Sequence, residues 1–162
     1  MECMQIVQAI RESHPFLHNL QPAHVETLLH GAVPVEFEPE QIILKEGDYA
    51  DKFYLIHRGK IALECHTRDG DLLVEILGND DVLGWSWLFA PFTSHFQARA
   101  IETTTALEFS APRLLIASEE NNAFGYEVMK RVAQLAIHRL QEIRKRLIEV
   151  SRGNPVELGS LI

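Results

Sequence analysis

Cysteine is nearly absent: Cys3 and Cys65 stand alone, far apart and without metal-ligand spacing. That excludes a disulfide scaffold and fits a reducing compartment, where thiols stay free. No apolar run approaches the ~18–20 residues that a membrane-spanning helix needs. Met1 to Arg11 mixes Glu2, Gln5, Gln8 and Arg11 among apolar residues and lacks a small-residue cleavage site, so no secretory signal is expected. Together these absences make a cytoplasmic protein the expectation. Positive charge is also short. The formal net charge of −8 argues against a surface built to neutralise phosphates along DNA or RNA. It leaves open a small local anion site, which needs only a few donors. The eight histidines contain no His-x-His pair, the arrangement common in metal-dependent cupin enzymes. No Ser, Cys or carboxylate pair has a spacing that suggests catalysis. The expectation is therefore a non-enzyme with no metal.

What is present suits one domain of 162 residues, 46% hydrophobic and 23% charged, long enough to bury a core without staples. Apolar residues at helical spacing (Ile6, Val7, Ile10, then Val25, Leu28, Leu29) predict N-terminal helices within 1–31, broken at Pro15 and stopped near Gly31. From 32 to 110 the pattern changes to short β-branched and aromatic stretches separated by Gly, Asp and Asn. Val33–Phe37, Gln41–Leu44, Phe53–His57, Lys60–Thr67, Leu72–Leu77, Phe96–Ile101 and Thr105–Phe109 read as strands. Turn signals every 8 to 12 residues make them an antiparallel roll or sandwich. Arg68-Asp69-Gly70-Asp71 is a hairpin signal, and Gly47 and Gly59 mark further sharp reversals.

Residues 111–150 return to helix, first Ala111 to Glu120 with Pro112 near its start. A long amphipathic helix then runs from Phe124 to Val150. Met129, Ala136, Ile143 and Val150 repeat at seven, with Ala133, Leu140 and Leu147 at the second seam position. The stripe either packs on the chain's own roll or joins two copies. A helix this long outruns a small roll, which favours a homodimer. Arg144, Lys145 and Arg146 complement the helix dipole without needing a nucleic-acid partner. The tail 151–162 is expected to fray.

Phe37 to Asp48 (Phe-Glu-Pro-Glu-Gln-Ile-Ile-Leu-Lys-Glu-Gly-Asp) and Phe53 to Leu63 (Phe-Tyr-Leu-Ile-His-Arg-Gly-Lys-Ile-Ala-Leu) carry a recognisable signature. With Gly78 and Asp80-Asp81-Val82-Leu83-Gly84 following in order, the stretch from about Pro15 to Val150 resembles cyclic-nucleotide-binding domains. Relatives of that type include catabolite-activator regulators, kinase regulatory subunits and gated channels. The resemblance implies a mainly β fold with flanking helices: an antiparallel, jelly-roll-like β-roll of the cupin-like double-stranded kind, plus a long C-terminal helix. It also implies that a nucleotide phosphate sits on a cassette between two strands, reading roughly Gly-Glu-x-Ala/Ser-Leu and then Pro-Arg-Ala/Ser-Ala. Helix N–H groups and the Arg hold the anion, while the Glu accepts the ribose hydroxyl.

Here the cassette-like segment 83–96 departs from that pattern. Gly84, Ser86 and Leu88 fit, but Trp85 stands at the Glu position and Ser94 or His95 at the Arg position. The Gly-Trp-Ser-Trp-Leu run resembles a subgroup of single-domain bacterial members. Losing two charge-assisted bonds costs ~10²- to 10⁴-fold in affinity. Cyclic AMP or cyclic GMP is therefore a ligand to be tested, not assumed. Gly84, Trp85, Ser86, Trp87, Leu88, Ser94, His95 and Arg99 are the candidate ligand-binding residues. Trp85 and Trp87 either form an aromatic platform or plug the old cavity. His95 or Arg99 would be the substitute cation; alternation places His95, Gln97 and Arg99 on one strand face, so a core on the other face would leave Arg99 in solvent. His138 and Arg139 fall where relatives contact the base, or else on an exposed helix face.

The function expected is a ligand-sensing regulatory module binding a small anionic or nucleotide-like molecule atypically. Its dimer helix would use Met129, Ala133, Ala136, Leu140, Ile143 and Leu147. Only twelve residues follow Val150, too few for a helix-turn-helix, so direct DNA binding is not expected. A ligand-free interaction scaffold with a tryptophan-plugged pocket is the alternative, and a truncated transcription regulator is a further one.

Overall fold

The computed structural model describes residues 2–153; most of the expected tail lies outside them. Helices α1 (Glu2–Ser13) and α2 (Pro22–Leu29) flank a 3-10 turn at Pro15–Leu17. Eight strands follow: β1 (Val33–Phe37), β2 (Ile42–Leu44), β3 (Lys52–Arg58), β4 (Ile61–Thr67), β5 (Gly70–Leu77), β6 (Val82–Leu83), β7 (Gln97–Ala100) and β8 (Thr104–Ser110). Helices α3 (Ala111–Glu120) and α4 (Asn122–Gly153) close the chain. The long helix starts two residues earlier than its apolar pattern suggests because Asn121 caps it. The Asn121 Oδ1 accepts from the backbone N–H of Ala123 and Phe124 at 3.1 and 3.2 Å.

All pairings are antiparallel and form two four-stranded sheets, ordered β1-β8-β3-β6 and β2-β7-β4-β5. The mainly β roll with flanking helices is thus the observed architecture. The short β6 has no signature in the sequence, since two residues carry no period.

Alternation along β3 serves two cores. Tyr54 and Ile56 point between the sheets and join Phe37, Ile61, Leu63, Leu77 and Leu83. Phe53 and Leu55 point the other way, joining Ile10, Phe16, Leu28, Leu114 and Phe124 under the helices. The neighbouring β8 does the same, with Ala106 inward and Leu107 and Phe109 outward. Gly59 lets β3 turn into β4 at φ +118°. A Cβ there would lie 2.7 Å from the Thr104 Cα, so the β3–β4 turn packs directly on β8.

One buried titratable group ties α1 to this frame. The His14 Nδ1 accepts from the Phe16 N–H at 3.2 Å, which places the ring proton on Nε2. That Nε2 is buried without a partner among the described residues. Burial pushes the His14 pKa below 6.5, against the pull of Asp80 and Asp81. The neutral ring suits the fold, so its contribution is fully present above pH 6.5. It is lost as pH falls through that value, because the unfolded chain then takes up the proton that the folded chain resists. Denaturant unfolding at pH 7.5 and pH 5.5 is expected to show a smaller fall in stability for His14→Gln than for the parent chain.

Candidate functional site

Between the sheets, at the end of β6, Gly84, Trp85, Ser86, Ser94, His95 and Phe96 face Leu44, Leu63 and Leu83 from the roll and Arg139 from α4. The space they leave is about 20 Å³. That volume holds one water, whereas small-molecule pockets run to ~300–1,000 Å³. Trp85 forms one of its walls, and its indole also packs against the helix-side core. Gly84 permits the bend that brings the segment in: its φ is +82°, and a Cβ would sit 3.0 Å from the Lys52 carbonyl oxygen.

A larger space opens on the outer side of the same indole. Leu63, Val74, Trp85, His95 and Phe96 face Ala136, Leu140 and Ile143 of α4 across a groove of about 370 Å³. Its polar members are Glu75, Arg139 and His95. Arg139 therefore borders both spaces. Its Nε lies 3.2 Å from the Glu75 Oε2, and its Nη2 donates to the Val82 carbonyl at 2.6 Å. The two side chains are only 11% and 17% exposed. Burial lowers the Arg139 pKa, while Glu75 and Asp81 oppose the shift. Seven residues on, Arg146 donates to the Val74 carbonyl. The C-terminal half of α4 is thus tethered to β5 by two arginines, with an apolar groove between them.

The structure sorts the predicted residues. Gly84, Trp85, Ser86, Ser94 and His95 come together around the small space. Trp87 does not: it stacks on Phe53 at 5.8 Å, within the helix-side core, with Leu88 beside it. The 3-10 turn at Ser86–Leu88 rotates successive side chains to different sides, so neither residue lines the cavity. Arg99 is also displaced from the ligand role. Its strand buries Ala98 and Ala100 between the sheets, so Arg99 lies on the outer face, paired with Glu64 and Glu40. His138 is exposed, as a helix-face residue would be, whereas its neighbour Arg139 is buried. The exposed-face reading of Arg139 is therefore corrected. Its one sequence signal was its place on the face of Phe124, Val128 and Val132, which α4 turns to the core.

Among the heptad residues, Met129, Leu140, Ile143 and Leu147 stay exposed (Leu140 66%, Leu147 67%), with Ala133 exposed and Ala136 half-buried. Among the described residues no group of His, Cys, Asp or Glu could hold a metal ion. No helix there is long and apolar enough to cross a membrane. The arrangement can hold a flat or elongated apolar body against Trp85, and its one permanent cation, Arg139, is already paired with Glu75.

The family model for the cyclic nucleotide-binding domain matches residues 34–121. Among solved structures, a cyclic nucleotide-binding domain from Methylobacillus flagellatus superposes with a TM-score of 0.77 at 20% identity, covering 98% of this chain and 86% of that one. A Geobacter metallireducens protein named for cyclic-nucleotide binding gives 0.72 at 22% identity, covering 86% and 98%. In sequence, the cAMP/cGMP-dependent 3′,5′-cAMP/cGMP phosphodiesterase B of Dictyostelium discoideum is 26% identical over 103 residues. The match covers 59% of this chain, but the chain spans only 9% of that protein's length.

The tether carries a testable energy. Arg139→Met leaves Glu75 half-buried and uncompensated and is expected to cost about 3 kcal/mol. The double change Arg139→Met with Glu75→Leu should recover part of that loss. A double-mutant cycle by denaturant unfolding reads the difference as a coupling energy.

Proposed function

The chain belongs to the cyclic nucleotide-binding domain family, and from that premise we propose that it is a regulatory sensor module whose signal leaves through α4. The observation that carries this reading is Arg139: a residue of the long helix sits buried at the mouth of the roll, bonded to Glu75 and Val82. Whatever perturbs that mouth also perturbs the helix. The family and the regulatory proteins it contains support a non-enzymatic role, and no residue pairing in the site suggests a reaction. The phosphodiesterase activity in the name of the Dictyostelium relative is a property of a far longer protein. The net charge of −8 weighs against a polyanionic nucleic-acid partner.

The ligand is bound atypically. A space of about 20 Å³ under Trp85 leaves no room for a nucleotide, and the carboxylate and guanidinium of the usual cassette are missing. The seat is the groove outside Trp85, against α4. Calorimetric titration with cyclic AMP and cyclic GMP is expected to give no saturable binding at micromolar concentration. Micromolar binding of either would place a nucleotide inside the roll and require Trp85 to rotate out.

Output runs through self-association along α4. Its own chain takes the face of Phe124, Val128, Val132 and Arg139, which leaves Met129, Ala133, Leu140, Ile143 and Leu147 of the seam exposed and Ala136 half-buried, an apolar stripe of the kind that a pair of copies requires. Met129→Glu with Leu147→Glu, both away from the groove, is expected to convert a dimer to a monomer in sedimentation at micromolar concentration. An unchanged mass would remove the dimer from this reading. A second reading, the ligand-free scaffold, draws on the same Trp85 plug. It expects an association constant that no small molecule alters.

A further inference from the structure

The roll carries a second cavity on its α1 side, which shares no lining residue with the Trp85 groove. It holds about 520 Å³ between α1 and the sheet of β1, β8 and β3, within the ~300–1,000 Å³ of small-molecule sites. Strand alternation supplies part of its lining. Glu36 faces outward because Val35 and Phe37 turn between the sheets, and Thr105 shares the helix-side face with Leu107 and Phe109. β3 departs from that rule. Strict alternation would send Arg58 inward with Tyr54 and Ile56. The ladder with β8 instead shifts between Ile56 and Arg58, so that His57 and Arg58 together stand opposite Thr105. Both side chains line the cavity as a result. Bulges that re-aim a side chain in this way recur beside functional sites.

Thr105 is thereby the centre of a row. It pairs with Glu36 on one side and with Arg58 on the other. An acid and a base are thus set two strand spacings apart, about 10 Å between their backbones. Elsewhere on the roll opposite charges close up: Arg99 on Glu40 and Glu64, Lys52 on Glu108, Arg139 on Glu75. Glu36 and Arg58 make no ion pair with each other or with any other described residue. Burial and the neighbouring Arg58 hold the His57 ring below 6.5. At neutral pH the lining therefore offers one cation, Arg58, and one anion, Glu36, both without a partner.

We propose that this cavity binds a small amino acid, which lies across Thr105 with its carboxylate on Arg58 and its ammonium on Glu36. A ligand of single charge would leave one of the two side chains unmatched, and an uncharged one would leave both. A zwitterion satisfies each with a charge-assisted hydrogen bond. Gln5 and Ile6 of α1 line the opposite wall, so the bound molecule adds contacts between α1 and the sheet.

The experiment titrates the full chain calorimetrically with glycine, β-alanine, 4-aminobutyrate and 6-aminohexanoate, which carry the same two charges at growing separation. Butyrate and butylamine are the single-charge controls. The expected result is saturable binding of at least one amino acid, roughly tenfold or more tighter than either control. Arg58→Gln should bring that amino acid down to the affinity of butylamine, and Glu36→Gln to that of butyrate. Both side chains are exposed, so the thermal unfolding of each variant should match the parent's, which separates lost recognition from lost fold. Equal affinity for amino acids and controls, or binding indifferent to both substitutions, overturns the proposal. So does the absence of saturable binding by every probe at millimolar concentration. None of these outcomes bears on the sensor reading, whose readouts are the Trp85 groove and α4.

Discussion

β3 and β8 carry buried side chains on both faces, and the helices are arranged around them. β3 and β8 pair over most of their length. Each sends one set of side chains between the sheets and the other under the helices. A sheet solvated on one side would need only one apolar set. Here Phe53, Leu55, Leu107 and Phe109 demand a cover, and α1, α3 and the first half of α4 supply it. The stack of Trp87, Phe53 and Phe109, with centroids 5.8 and 4.6 Å apart, ties the cassette segment into that cover. The position of Ser86 and its neighbours therefore depends on how the helices pack.

Arg139 makes the complementary link. Beyond Leu135, α4 leaves the helix-side core, and Arg139 and Arg146 hold it to β5. A hydrophobic residue at 139 could have sealed the same surface at less desolvation cost. A guanidinium instead joins α4 to β5 and to the Val82 carbonyl through polar contacts.

The overall roll was legible because short β-branched and aromatic stretches are separated by turns that carry Gly and Asp at positions needing unusual backbone angles. Gly59 and the Asp69-Gly70 hairpin are the clearest cases. The cassette was legible as a place but not as a geometry. Both tryptophans stood in the right segment, yet a single 3-10 turn sends Trp85 to the cavity and Trp87 to the opposite core, and no period in five residues reports that. Strand alternation did foretell Arg99, since Ala98 and Ala100 had to face inward. Arg139 was hidden for a different reason. A charged residue on a polar helix is ordinarily solvated, and only its three-dimensional partners, Glu75 and the Val82 carbonyl, reveal that it is not.

The bulge in β5 has a bearing on the molecule's life outside its regulatory task. Val74 has no partner opposite it in the ladder with β4, and β5 is the outer strand of its sheet. Leu72, Leu73 and Ile76 on that strand are exposed. An outer strand of this kind is a template on which other chains add. Arg146 occupies the Val74 carbonyl, and α4 lies alongside. The Arg146 hydrogen bond thus also satisfies one polar group of the β5 bulge on that outer strand.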